Sequence, residues 1–118
     1  MPQITVDYSE QLAEGFDRRG FALGLHDAVV EIAAAKYEAC KTQFRATGNT
    51  TVGRDEDGHA VVHVTIGLLA GRTDETKVRL TEAVLELLRK HVRPAEGLAL
   101  HASAEVRDLD PSYRKFES

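Results

Sequence analysis

Tryptophan is absent, and a single cysteine, Cys40, stands among the 118 residues. One thiol cannot close an internal disulfide, and such sparing use of cysteine fits a reducing, cytoplasmic setting. No run reaches the roughly 18 apolar residues that a transmembrane helix needs, so no membrane partner is expected. The first residues carry neither the basic stretch nor the apolar core of a signal peptide. Basic side chains number 15 against 19 acidic, a formal charge of −4. Nucleic acid is usually met by a clustered basic face, so none is expected as a partner. G-x-S-x-G and the phosphate-binding loop are both missing, and "DEDG" at 55–58 lacks the remaining ligands of a calcium loop. His59 and His63 are spaced H-x3-H, but in a strand context without an acidic partner at zinc spacing. No metal is expected there.

What is present is an ordinary globular composition, 42% apolar and 29% charged. The length fits one domain, residues 1–118, able to bury about two thirds of the surface of its unfolded chain. "MPQITVDYS" alternates Ile4, Val6 and Tyr8 with Gln3, Thr5 and Asp7, the pattern of a half-buried strand over 3–8. Proline cannot donate to a ladder and is tolerated at a strand's first residue, which suits Pro2. Residues 9–19 read as a polar loop with a short turn. Residues 21–36 read as a helix with an apolar stripe of Leu25, Ala28, Val29, Ile32 and Ala33. A strand is expected over 40–46, extended by 50–53, then a turn at Asp57–Gly58 and a long strand over 59–69. A second helix starts behind Thr73, with Asp74 and Glu75 in its first turn. Its stripe reads Val78, Thr81, Val84, Leu85, Leu88 and Val92, and basic residues gather before Pro94. A last strand spans 98–107.

The order is β-α-β-β-α-β, one strand–helix–strand pattern used twice, roughly over 1–54 and 59–107. This predicts an α+β, two-layer fold: a mixed sheet with two helices on one face. Ile4, Val6, Val62, Val64, Ile66, Leu68 and the even positions from Leu98 to Val106 would lie under the helices. The other face carries Gln3, Thr5, His63, Thr65, Gly67, His101, Ser103 and Glu105. With both helices on one side, this polar face meets solvent or another subunit, which favours a homo-oligomer.

Three stretches carry candidate chemistry. Pro2 becomes a free secondary amine if Met1 is trimmed, and such an amine can act as a base; internally it is only an amide. Arg72 stands one residue ahead of the Thr73 cap, where a helix N-terminus and a guanidinium together make a carboxylate site. The competing reading is a solvated Arg72 paired with Asp74 or Glu75. Lys41, Gln43 and Arg45 share one strand face by their even spacing and can hold an anion, or can simply blunt an edge strand. Cys40 reads as a small core residue rather than a nucleophile.

"MPQITVDYS", "HAVVHVTIGLLAGRTDET" and "VRDLDPSYRKF" together resemble the 5-carboxymethyl-2-hydroxymuconate Δ-isomerase family of the tautomerase superfamily, over essentially the whole chain. The resemblance implies a β-α-β unit repeated twice in a homotrimer, with helices outside and sites between neighbours. It also implies a cofactor-free isomerase of aromatic acid breakdown, acting on a small carboxylate substrate. Pro2 matches the catalytic base and Arg72 an active-site arginine. Where the family has arginines on the second strand, this chain has Lys41 and Gln43, with Arg45 following. Lysine keeps the charge without the bidentate fork, and glutamine loses the charge. Two further readings stay open: keto–enol tautomerisation of another 2-oxo acid, and a non-catalytic oligomer that binds an acid.

Overall fold

The computed structural model describes residues 1–118. Its four strands are β1 (Gln3–Ser9), β2 (Lys41–Thr47), β3 (His59–Leu68) and β4 (Ala99–Asp108), and its two main helices are α1 (Arg18–Ala33) and α2 (Asp74–His91). The sheet order is β2-β1-β3-β4. β1 runs parallel to β2, β3 runs parallel to β4, and the antiparallel β1–β3 pair joins the two units at the centre. The fold is the α+β sheet-and-helix layering that the repeated pattern implies.

Alternation in β1 and β3 puts Ile4, Val6, Val62, Val64 and Ile66 into the core, each at most 2% exposed. Phe21, Leu25 and Val29 of α1 and Leu80, Val84 and Leu88 of α2 cover them. The stripe of α2 is therefore turned from the sequence reading: Leu80 is fully buried and Val78 is 55% exposed. Positions 80, 84 and 88 recur at one turn and face the sheet as a line. Val78 is two residues from Leu80 and falls on the other side.

Boundaries also differ. α1 begins at Arg18, where the Asp17 carboxylate accepts from the Gly20 N–H at 3.0 Å. It ends at Ala33, not at 36, because Ala34 turns into the left-handed region at φ 57°. Residues 9–19 hold a 3₁₀ helix at Glu10–Gly15, longer than the short turn expected there, and the last two belong to α1. The expected continuation of β2 through 50–53 is absent apart from an isolated Val52–Asp55 bridge. The register explains this: Ser9, the last residue of β1, pairs with Thr47, so β2 has no partner beyond it.

Lys41, Gln43 and Arg45 pair in register with Gln3, Thr5 and Asp7, so they belong to the polar sheet face opposite the helices. That face is already bonded within the chain. His63 Nδ1 meets Ser103 Oγ at 2.7 Å and His63 Nε2 meets Glu105 Oε2 at 2.9 Å. His59 Nδ1 lies 2.9 Å from His101 Nε2. His63 and His101 thus each have a side-chain partner within one chain.

Candidate active site

Where β1 begins, β3 ends and α1 ends, the chain encloses a cavity of about 330 Å³. Pro2 forms part of its wall and is buried. Ala34 and Ala35 line it from the end of α1, and Leu68 and Leu69 from the end of β3. Three cations line the same space, Lys36, Arg72 and Lys115, and a carboxylate beside it, Glu117, pairs with Lys115 at 3.1 Å at the rim. A largely apolar wall on which cations outnumber acids is a place for an organic anion.

Arg72 is not held as either sequence reading expected. Its Nε and Nη2 donate to the Ala33 carbonyl at 3.1 and 2.8 Å, and Nη1 donates to the Leu69 carbonyl at 3.2 Å. Neither Asp74 nor Glu75 pairs with it, and the first turn of α2 does not line the cavity. The guanidinium instead caps the C-terminal end of α1, where a terminal carbonyl lacks a helical partner and a cation complements the dipole. Gly71, at φ 127°, gives the backbone conformation that turns Arg72 back towards α1. Guanidinium carries five N–H groups, and three are spent here, so two stay free for an anion.

Lys41 reaches the rim. Its Nζ donates to the Ala39 carbonyl at 3.2 Å, and the Met1 amine donates to the same oxygen at 2.9 Å. The two nitrogens are therefore neighbours on one acceptor beside the cavity. Burial, then the charges of Lys41 and Lys115, hold the Met1 amine below its ordinary value of 8.0. Gln43 and Arg45 stand progressively farther along β2, and neither lines the cavity. Arg45 is spent on Asp7, with Nε donating to Oδ1 at 2.8 Å. Within one chain, then, Pro2 and Arg72 come together with Lys41 at the rim, and Gln43 and Arg45 remain apart.

Lys36 and Lys115 escaped the sequence reading. The helical pattern places Lys36 at the tail of α1; the turn at Ala34 brings it to the cavity instead. Lys115 sits in a polar tail with no periodicity, and only the return of that tail across the sheet places it. Cys40 is buried, and desolvation raises its thiol pKa, the state of an inert core residue. No three His, Cys, Asp or Glu side chains gather where they could hold a metal ion. No helix is long and apolar enough to cross a membrane.

Comparison with known proteins places this geometry. The sequence profile of the 5-carboxymethyl-2-hydroxymuconate isomerase family matches residues 2–116. No curated protein sequence matches the chain. Among solved structures, a 5-carboxymethyl-2-hydroxymuconate isomerase from Deinococcus radiodurans R1 superposes with a TM-score of 0.80 at 21% identity, over 98% of this chain and 90% of that one. A 5-carboxymethyl-2-hydroxymuconate delta-isomerase gives 0.70 at 15% identity, over 100% and 89%. A fused 4-OT symmetric trimer gives 0.76 at 15% identity, over 97% and 92%. At these identities the superpositions speak for the fold, while the profile, which spans nearly every residue, speaks for descent. The chain belongs to the 5-carboxymethyl-2-hydroxymuconate isomerase family and is an isomerase with the tautomerase fold.

Proposed function

We propose that the chain carries out cofactor-free enol-to-keto isomerisation of an unsaturated 2-hydroxy di- or tricarboxylic acid, such as 5-carboxymethyl-2-hydroxymuconate. Pro2 is the general base, once Met1 has been removed. The observation that carries this reading is the meeting of Pro2 and Arg72 on one cavity whose lining includes three cations.

The chemistry is a proton relay. The Pro2 nitrogen takes the proton of the 2-hydroxyl, and the O–H electron pair becomes a carbonyl. The double bonds shift along the chain, and the far carbon takes the proton back from the protonated Pro2. No atom is gained or lost. A shuttle of this kind works best when its pKa lies near the operating pH. Burial, Lys41 and Lys115 already depress the amine at this end of β1 when that amine belongs to Met1. With Met1 gone, Pro2 inherits the same surroundings, which keep it neutral and able to accept a proton. The two free N–H groups of Arg72 bind a substrate carboxylate or the developing oxyanion, and Lys41 adds charge at the rim.

The proposed assembly is a homotrimer with the polar sheet faces turned inward. The helices leave that face uncovered, and the fused 4-OT neighbour is a symmetric trimer. Sedimentation equilibrium reads the state directly, and a monomer at micromolar concentration refutes this part.

The deciding experiment for the reaction is the intact mass of untagged protein, read beside an ultraviolet assay on a 2-hydroxymuconate-type diacid. Mass short by one methionine, with turnover, supports Pro2 as base. Trimmed protein that leaves the diacid unchanged overturns the proposal.

A further inference from the structure

The tail after β4 does not drift into solvent. The Leu109 N–H donates to the Leu68 carbonyl at 2.7 Å, and the absent side chain of Gly67 leaves the space that Leu109 occupies; a Cβ there would lie 2.7 Å from Leu109 Cδ2. Asp110 Oδ1 accepts from the Ser112 N–H at 2.8 Å, and the Tyr113 N–H donates to the Asp110 carbonyl at 2.9 Å, which closes a turn. Gln3 Nε2 then donates to the Tyr113 hydroxyl at 3.2 Å, tying the tail to the start of β1. These ties deliver Lys115 to the cavity that Pro2 and Arg72 line.

The tail also brings its own anion. Glu117 Oε2 accepts from Lys115 Nζ at 3.1 Å and lies 3.6 Å from Lys41 Nζ. One carboxylate oxygen therefore sits between two ammonium groups at the rim. Lys115 lines the same cavity as Arg72, and Lys41 stands beside it through their shared contact with Glu117.

We infer that Lys115, paired with Lys41, forms a subsite for the distal carboxylate of the substrate, and that Glu117 occupies this subsite in the free chain and gives way when a diacid enters. Lys115 is thereby a specificity-determining residue, selecting acids with two carboxylates over acids with one. Glu117 is an internal competitor that sets how strongly. The depression of the Glu117 carboxyl pKa, caused first by its bond from Lys115, accords with a carboxylate site. The inference rests on the reading of the cavity as acid-binding, and not on Pro2 as base.

Calorimetric titration with adipate and hexanoate tests it on the full chain, as wild type, K115Q, K115R and E117Q. These saturated acids cannot react and differ by one carboxylate. Exposed ion pairs are weak, so K115Q is expected to cut the adipate-over-hexanoate affinity ratio by roughly three- to fivefold, and E117Q to raise it by roughly twofold. K115R, which keeps the charge, restores most of the ratio. A ratio unmoved by K115Q overturns the subsite, as does wild type that binds both acids alike. An E117Q ratio that stays level or falls overturns the competition. Loss of turnover in trimmed wild type, with these ratio shifts intact, refutes Pro2 as base and leaves the subsite standing.

Discussion

Replacing Arg72 with alanine removes two things at once, and the structure separates them. The first is a cap: three hydrogen bonds from one guanidinium to the Ala33 and Leu69 carbonyls. Hydrogen bonds from charged groups contribute roughly 1.5–3 kcal/mol each when well shielded. Arg72 is only half-buried, and water can replace part of what is lost. R72A is therefore expected to destabilise the fold by about 1–3 kcal/mol in total. With a urea slope of about 1–3 kcal/mol/M, the unfolding midpoint should fall by roughly 1 M at fixed protein concentration. The second loss is the cavity's fork-shaped cation. Removing one donor that meets a developing oxyanion costs roughly 10²- to 10³-fold in kcat. R72K distinguishes the two roles, because an ammonium keeps the charge but cannot bridge both carbonyls as the planar fork does. It should recover part of the rate and little of the midpoint, with the oligomer intact throughout. An unchanged rate in R72A removes Arg72 from the mechanism; an unchanged midpoint refutes the cap on α1.

Adding one alanine ahead of Pro2 converts its amine to an amide and should lower kcat by roughly 10²- to 10⁴-fold, with the added mass confirmed on the intact protein; a normal rate excludes Pro2 as base. The base must be neutral, so kcat/KM should rise with pH through the amine pKa. At the Met1 amine, burial and then Lys41 and Lys115 lower the pKa, while Cys40 and Glu117 raise it, and Pro2, once it is the terminus, is expected to feel the same charges. K41Q should therefore move the rising limb to higher pH, and a limb that stays put or moves down contradicts the assignment. In the core, L80A should cost roughly 2–5 kcal/mol in a urea titration. V78A should change stability by no more than about 0.5 kcal/mol, and equal losses would refute the rotation of α2.

Some of this was legible from the chain because the signals are local. Alternation over 3–8 and 59–69 needs only the two-residue repeat of a strand, and both strands lie within a residue of where the pattern puts them. Thr73 caps α2 as read, accepting from the Thr76 N–H at 3.1 Å. The end of α1 was not legible. Ala34, Ala35 and Lys36 all favour helix, and their propensities extend it. The helix stops where Ala34 turns left-handed, and Arg72, far along the chain, takes the Ala33 carbonyl left at its end. The rotation of α2 has a similar origin: Val78 and Leu80 are both apolar, and only the surface of the sheet decides which one is covered.

The same division runs through the site. The sequence by itself determined the twice-used β-α-β order and the apolar side of each central strand, and it offered Pro2 and Arg72 as candidates for the site. Tertiary structure alone decided which charges gather there. Lys36 arrives by a left-handed turn, Lys115 by a tail tied to Leu68 and Gln3, and Arg45 is withdrawn by Asp7. Hydrophobic periodicity is a property of neighbouring residues and survives in one dimension. Electrostatic proximity depends on where distant segments end in space, and no local pattern records it.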